Sequence, residues 1–545
     1  MDSCISEATK RFSAALMAAV TVLFTHQASA GELLALTPDD KFVIAATLDD
    51  MGSLDPAEAF EFSTSDLLNN LYDTLVIEDA NAPGLFLPSL AQDWQISQEG
   101  RMFSFSIRPD VVFESGAALS AADAAFSLRR LIILDAAPAS ILTSLGMSSE
   151  NVDAQIYYHD TTLVIELPEP VAPEVLLSAL STTATSILDQ KTVLENEVSE
   201  DWGNMWLSEH TAGTGSYRLY SLSREIDYVL EARPDHWRGE ASLSRVRVHH
   251  VPDSETQKLL LEMGLIDVAR NIQPSDMAAL AENGDIYINS HLTGEIQYLA
   301  ANMAHPVLSN SAVIEAMRWL IDYDAIAATP ELAGSRIVHH SFLPRGAPSA
   351  LEDTPFKFDP EHARAILSAA QIEPFSATLL VRDVEDRVQI ARKIRDSFAA
   401  GGIDISLEIE SGSDVLEQYR ARRHDLILEA WIPEYTDPHF NASSFAANRD
   451  NSATLNNTGS LAWRNNFHSD ALNILVENAF VAQDPDVRME IYPELQRVHR
   501  KSAPFAILFQ KVEQTAVLAH VSGFSTGSIT RRASYRDVVK SFDAP

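Results

Sequence analysis

Few residues in this chain have both the type and the spacing that chemistry needs. Gly523-Phe524-Ser525-Thr526-Gly527 has the G-x-S-x-G pattern that holds a serine hydroxyl exposed on a tight strand-to-helix turn, ready to act as a nucleophile. A hydrolase of that class takes the serine proton with a histidine later in the chain, and no histidine follows Ser525. So short a pattern also arises readily by chance. His249-His250 and His339-His340 have metal-binding side chains. Adjacent residues on a strand point to opposite faces, so neither pair makes a natural two-ligand site. There is no H-E-x-x-H, no paired cysteine motif and no Walker A loop. Carboxylate pairs abound, but none has a spacing that picks it out. A secreted hydrolase, or nickel or haem held by an isolated histidine, stays open, yet no complete catalytic set is visible.

Bulk properties narrow the field. The formal charge is −37, from 40 Lys and Arg against 77 Asp and Glu. Nucleic acid and anionic lipid would be repelled by it. Acidity could favour a cationic ligand, although a solvated acidic surface explains it as well. Residues 1–30 read as an export signal. Lys10 and Arg11 precede the apolar run Ser13–Phe24, too short to span a bilayer, and Ala28-Ser29-Ala30 gives the small-residue cleavage pattern before Gly31. Cys4, the only cysteine, falls in that segment, which leaves no disulfide, thiol nucleophile or thiolate metal site behind it. No cysteine ends the apolar run, so no lipid anchor is expected. Later apolar stretches are too short to cross a membrane, and the expectation is a monomeric periplasmic protein that is not membrane-inserted.

The elements that must position any site alternate between strand and helix, an α/β pattern. Phe103, Phe105 and Ile107 alternate with polar neighbours, Leu163–Leu167 behaves similarly, and Ile403, Ile405, Leu407 and Ile409 share one face. Ser120-Ala-Ala-Asp123 and Ser254-Glu-Thr-Gln257 fit capping boxes, with Gly264 as a stop for the second. Asp359-Pro360 and Asp484-Pro485 each offer a capping carboxylate before a proline at the first helical position. Ser309 or Asn310 opens a helix with Val313, Ala316, Met317 and Leu320 on one side, and another helix runs from about Val388 to Ala400. Length implies two to four structural units, with no internal repeat and no low-complexity linker.

Several stretches, taken in order, resemble the extracytoplasmic solute-binding proteins of family 5, the peptide and nickel transporter class that includes oligopeptide- and dipeptide-binding proteins. They begin with Ser53-Leu54-Asp55-Pro56 and Leu71-Tyr72-Asp73-Thr74-Leu75. Pro88 to Trp94, the strand Phe103–Arg108, Val112 to Gly116, Leu119 to Asp123 and Phe126 to Arg130 follow. Downstream, Gly213-Thr214-Gly215-Ser216-Tyr217 is similar to the family's G-T-G-P-Y, with serine for proline. Asn302, Val313 and Ala316 to Asp322 are similar to a helix region in which Ile314-Glu315 replaces the usual arginine. Ala430 to Pro438 resembles the late W-x-x-D-Y-x-D-P segment. Order and spacing carry the resemblance, which covers nearly all of the chain after residue 30.

The resemblance implies a periplasmic-binding-protein type II (cluster C) fold, a two-lobed clamp with an extra insertion domain. Lobe I would combine 31–74, 213–300 and 511–545; the insertion domain would be 75–212, and lobe II 301–510. It implies a binding component of an ABC importer, without cofactor or catalysis. Such a protein closes on a small solute and hands it to permease subunits driven by separate ATPase subunits. Glu434 stands where peptide-binding relatives carry an aspartate that receives the ligand's ammonium, Trp431 would offer an indole to the ligand, and Tyr435 and Asp437 are secondary candidates. Ser53, Phe60 and Phe62 lie where the first lobe meets ligand. Leu428 occupies a place where an oligopeptide binder has a basic residue, which keeps opines, glycosides and metal chelates beside peptides as solutes. Trp94, Phe103–Ile107, Asp123, Gly213 and Gly215 are expected to be structural.

Overall fold

The computed structural model describes residues 37–59, 61–97, 99–527 and 533–541. The expected export segment, with Cys4, lies outside the described residues, and so does Phe60. Among the described residues no helix is long and apolar enough to cross a membrane.

One eleven-stranded sheet runs through both lobes. At its centre two long strands, Ile286–Ala301 and Phe505–Leu518, pair antiparallel along their lengths. On one flank lie Val268–Ala269, Lys41–Ala46, Arg245–His250, Asp227–Ala232 and Tyr217–Ser223; on the other lie Leu426–Trp431, Phe375–Arg382 and Ile403–Glu410; the short strand Arg336–Val338 also pairs with Phe505–Leu518. The central pairing slips between Leu292 and Ile296 and again between Gln297 and Tyr298. Bulges of this kind bend a strand and raise its twist, so the two long strands bend where they cross between lobes.

The apolar residues explain this arrangement. Phe42, Ile44 and Ala45 in lobe I are wholly buried, as are Leu379, Ile427 and Leu428 (or within 1 % of it, Leu380) in lobe II. Such continuous apolar runs belong to strands covered on both faces. The insertion domain has a separate four-stranded antiparallel sheet: Ala91–Ile96, Met102–Ile107, Thr162–Glu166 and Ile156–His159. Phe103, Phe105 and Ile107 turn into its core while Ser104 and Ser106 turn out, as the alternation predicts. Trp94 packs against the same core.

The helix starts follow the sequence with one shift and one correction. Ser120 and Asp123 form the reciprocal capping box of helix Ala121–Leu134. Ser120→Ala is expected to lower the unfolding free energy by about 1 kcal/mol in a denaturant titration. Asp359, Asp484 and Asn310 cap the helices that begin at Pro360, Pro485 and Ser311. Helix Glu385–Ala399 begins three residues before the expected Val388. The Ser254 box is a correction. Asp253 is the cap, accepting from Thr256 N, while Gln257 turns inward and donates to the Val251 carbonyl. A carboxylate one residue earlier out-competes the serine hydroxyl. Gly213 and Gly215 are structural, as expected, through close packing. Neither has a positive φ. A Cβ at Gly215 would lie 2.3 Å from the Leu71 carbonyl carbon, so close backbone approach, not a left-handed turn, requires glycine there.

Asp55 and Arg130, from two of the family-like motifs, meet in the interior. Arg130 Nη1 is 2.8 Å from Asp55 Oδ1, and Nη2 is 2.5 Å from Oδ2. Asn204 donates to the same carboxylate at 2.8 Å, and Arg130 Nε donates to the Trp202 carbonyl at 2.7 Å. The pair pins the insertion domain to lobe I.

Candidate functional site

The strand Lys41–Ala46 delivers the chain to the carboxyl edge of the lobe I sheet, between two parallel neighbours. Ligands of open α/β sheets bind outside that edge. Here it opens on a cleft of about 470 Å³. Ala46–Asp50, Phe62, Asp66 and Arg270 line one wall, Lys511–Gln514 form the floor, and Glu331, Ser335, Arg336 and Asp386 line the opposite wall.

The cations of this cleft are already engaged. Arg270 bonds Asp66 through Nη1 and reaches Glu513 at 3.2 Å. Burial works against its charge, but those two carboxylates outweigh burial and hold the guanidinium protonated. Arg336 donates to Gln297 at 2.9 Å and pairs with Asp386. Lys511 lies 3.4 Å from Glu295. A solute entering here meets prearranged ion pairs at the crossing strands and the carboxylates of Asp49 and Asp50 at the wall.

The end of strand Leu426–Trp431 and the loop after it carry four of the expected residues, none of which lines the cleft. Trp431 Nε1 donates to Asn441 Oδ1 at 2.9 Å, and its ring stacks on Phe440 with centroids 5.6 Å apart. Burial pushes the Glu434 carboxyl up to about 7, while a hydrogen bond with the Ser140 hydroxyl of the insertion domain pulls the other way. No ion pair among the described residues includes Glu434. Tyr435 is 3 % exposed and sits in the apolar core of the insertion domain. Thr436 Oγ1 donates to Glu78 Oε2 at 2.5 Å. Asp437 pairs with both Arg488 nitrogens at 2.7 and 2.6 Å and caps helix Pro438–Ala446 by accepting from His439 N.

The structure therefore divides the expected residues. Phe62 lines the 470 Å³ cleft. Trp431, Glu434, Tyr435 and Asp437 gather in one loop at the seam between lobe II and the insertion domain. Ser53 makes a local turn, its hydroxyl accepting from Asp55 N at 3.2 Å. Sequence reasoning missed Asp66, Arg270, Arg336, Lys511 and Glu513. One signal was available: Phe505–Leu518 is apolar at both ends and polar at Gln510, Lys511, Glu513 and Gln514, which marks where that strand leaves one core and crosses an open space.

The enzyme-like features resolve into structural ones. Ser525 pairs in an antiparallel bridge with Ser534, and its hydroxyl accepts from Gly527 N at 3.1 Å. His339 and His340 follow a strand rather than lying on one; both are buried, which pushes them down to about 4 and about 3. Buried neutral imidazoles of this sort fill cores. Among the described residues no group of three His, Cys, Asp or Glu side chains could hold a metal ion.

Comparison with known proteins agrees with this architecture. A profile described as "Bacterial extracellular solute-binding proteins, family 5 Middle" matches residues 86–453. A probable D,D-dipeptide-binding periplasmic protein of Escherichia coli is 23% identical over 498 residues, covering 90% of this chain and 92% of the relative. Among solved structures, the periplasmic binding protein DppA from Helicobacter pylori in complex with peptide STSA superposes with a TM-score of 0.75 at 22% identity, over 94% of this chain and 100% of that one. NikA from Brucella suis in complex with Fe(III)-EDTA gives 0.77 at 19% identity, over 92% and 100%. These neighbours share the two-lobed α/β fold.

Proposed function

Because the chain belongs to the bacterial extracellular solute-binding proteins, family 5, we propose that it takes up a small amine-bearing solute, a peptide, between its lobes and presents it to an ABC permease. Members of this family bind and are not enzymes, so the solute leaves as it entered. The observation that carries the amine is Glu434. A half-buried carboxyl group with no ion-pair partner among the described residues is a poor anion on its own, and an incoming ammonium supplies that partner. Phe62 and Trp431 would offer apolar area to side chains, and a peptide backbone would add generic hydrogen bonds. Ser53, Tyr435 and Asp437 would shape that space through their turn, their packing and their ion pair. Export to the periplasm, action as a monomer, and a permease with separate ATPase subunits complete the reading.

A second reading, a non-peptide solute such as an opine or a metal chelate, draws on Leu428. It is fully buried in the strand where an oligopeptide binder has a basic residue, so no cation comes from that position to meet a peptide carboxylate. Native mass spectrometry of the purified protein separates the two. The expected result is a bound mass that releases a peptide with a free amino group on denaturation. A retained solute without any amine would overturn the first reading in favour of the second.

A further inference from the structure

The loop Trp431–Asp437 also ties lobe II to the insertion domain, and the two sides of the insertion domain differ in kind. Its contact with lobe I is held by buried polar groups. The buried Asp55–Arg130 pair crosses it, Tyr72 Oη accepts from Ala212 N at 3.2 Å, Asn204 donates to Asp55 Oδ2 at 2.8 Å, and Arg233 Nη2 donates to the Val112 carbonyl at 3.0 Å. Separating that side would strand a charge in the interior. Its contact with lobe II has an aromatic centre and a polar rim. The Tyr435 ring enters the insertion core, and Phe440 and Phe480 lie partly buried against it. Around them run Thr436 to Glu78, Asp437 N to Ser178 Oγ at 3.2 Å, Ala172 N to the Phe480 carbonyl at 2.6 Å, and Gln483 to the Val171 carbonyl at 2.9 Å. An apolar centre inside a hydrogen-bonded rim is the build of an interface that forms and parts.

We propose that Tyr435 is a latch: when lobe II swings about the central strands, the insertion domain travels with lobe I, and seating Tyr435 in its core holds the clamp shut. The inference rests on the clamp reading of the fold. It assigns the insertion domain a part in closure, and it couples the latch to the ligand, because Glu434 and Tyr435 are neighbours in one short loop. A latch that touches no solute scales the closed fraction, so it changes the affinity for every solute by one common factor.

The test uses the whole chain with Cys4→Ser and spin labels at Asp153→Cys in the insertion domain and Glu494→Cys in lobe II, both exposed positions. Pulsed electron-resonance distances are measured without ligand. Tyr435→Ala is expected to move the distribution to longer distances, and Tyr435→Phe to leave it unchanged. Phe480→Ala, in the same aromatic centre, should give a smaller shift in the same direction, which keeps the test decisive if Tyr435→Ala folds poorly. In calorimetric titrations with dialanine and trialanine, Tyr435→Ala should weaken both about tenfold, by the same factor. An unaltered distance distribution in folded Tyr435→Ala, or in Phe480→Ala where the former does not fold, would overturn the latch. Failure of the wild-type protein to bind either peptide would instead count against the peptide reading and leave the distance result to judge the latch.

Discussion

Glu434→Ala weakens binding of an amine-bearing solute by about 2–5 kcal/mol, the range for removing one partner of a buried charge pair. The same loss should be absent for an N-acetylated version of that solute. Glu434→Gln, which keeps the shape and removes only the titration, should abolish the pH dependence of binding. The sign follows from burial. In the free protein the carboxyl holds its proton up to about pH 7, above the ordinary 4.5. An ammonium beside it favours the ionised form, so binding below pH 7 expels a proton. Affinity should therefore rise about tenfold per pH unit from roughly pH 5 to pH 7 and level off above. Calorimetry in buffers of different ionisation enthalpy reads that proton directly. For stability without ligand the sign is opposite. A carboxyl whose folded value lies above its unfolded value contributes most at low pH, and that contribution fades as pH rises from about 4.5 to about 7. Affinity flat with pH, or equal loss for the acetylated solute, would remove Glu434 from the ammonium site.

Asp437→Ala should lower the unfolding free energy by about 3–5 kcal/mol, because Arg488 then keeps its charge in the interior without its carboxylate. Arg488 is itself completely buried, with Ala479 O and Tyr492 Oη as its other hydrogen-bond partners and Glu174 as a second, more distant carboxylate at 3.8 Å. The double variant Asp437→Leu with Arg488→Met should lose much less than the two single losses added together, since apolar groups of similar volume replace a charged pair more gently than an empty place does. Denaturant titration of the three variants closes the cycle. Additive losses would mean that the two residues act independently. Asp437 also caps helix Pro438–Ala446, so part of the single loss comes from the helix start.

What the sequence made legible depended on how local the physics was. Caps such as Ser120 and Asp359 and alternating strands such as Met102–Ile107 report backbone demands within a few residues, and those were visible. Asp253 was missed because two adjacent residues could both cap; its carboxylate out-competes the hydroxyl, and Gln257, which would close the serine box, turns inward. The clamp itself was legible through the order of motifs, and two of their residues, Asp55 and Arg130, prove to be one ion pair joining segments distant in sequence. The loop Trp431–Asp437 was found through the same resemblance. The cleft polar set was not, because Asp66, Arg270, Arg336 and Glu513 come from separate elements and share no spacing. Only the polar interruption in Phe505–Leu518 hinted at the crossing. Tyr435 illustrates the remaining gap: a motif marks a residue as important, while only its neighbours show whether it faces solute or a second domain.

Small-angle scattering from the purified protein, first stripped of solute and then with the solute it retains, tests the two-lobed closing receptor most directly. The account predicts a smaller radius of gyration on addition, reversed on dialysis, with the recovered solute unchanged in mass. Superimposable profiles at saturating solute, or recovery of a chemically altered molecule, would contradict it.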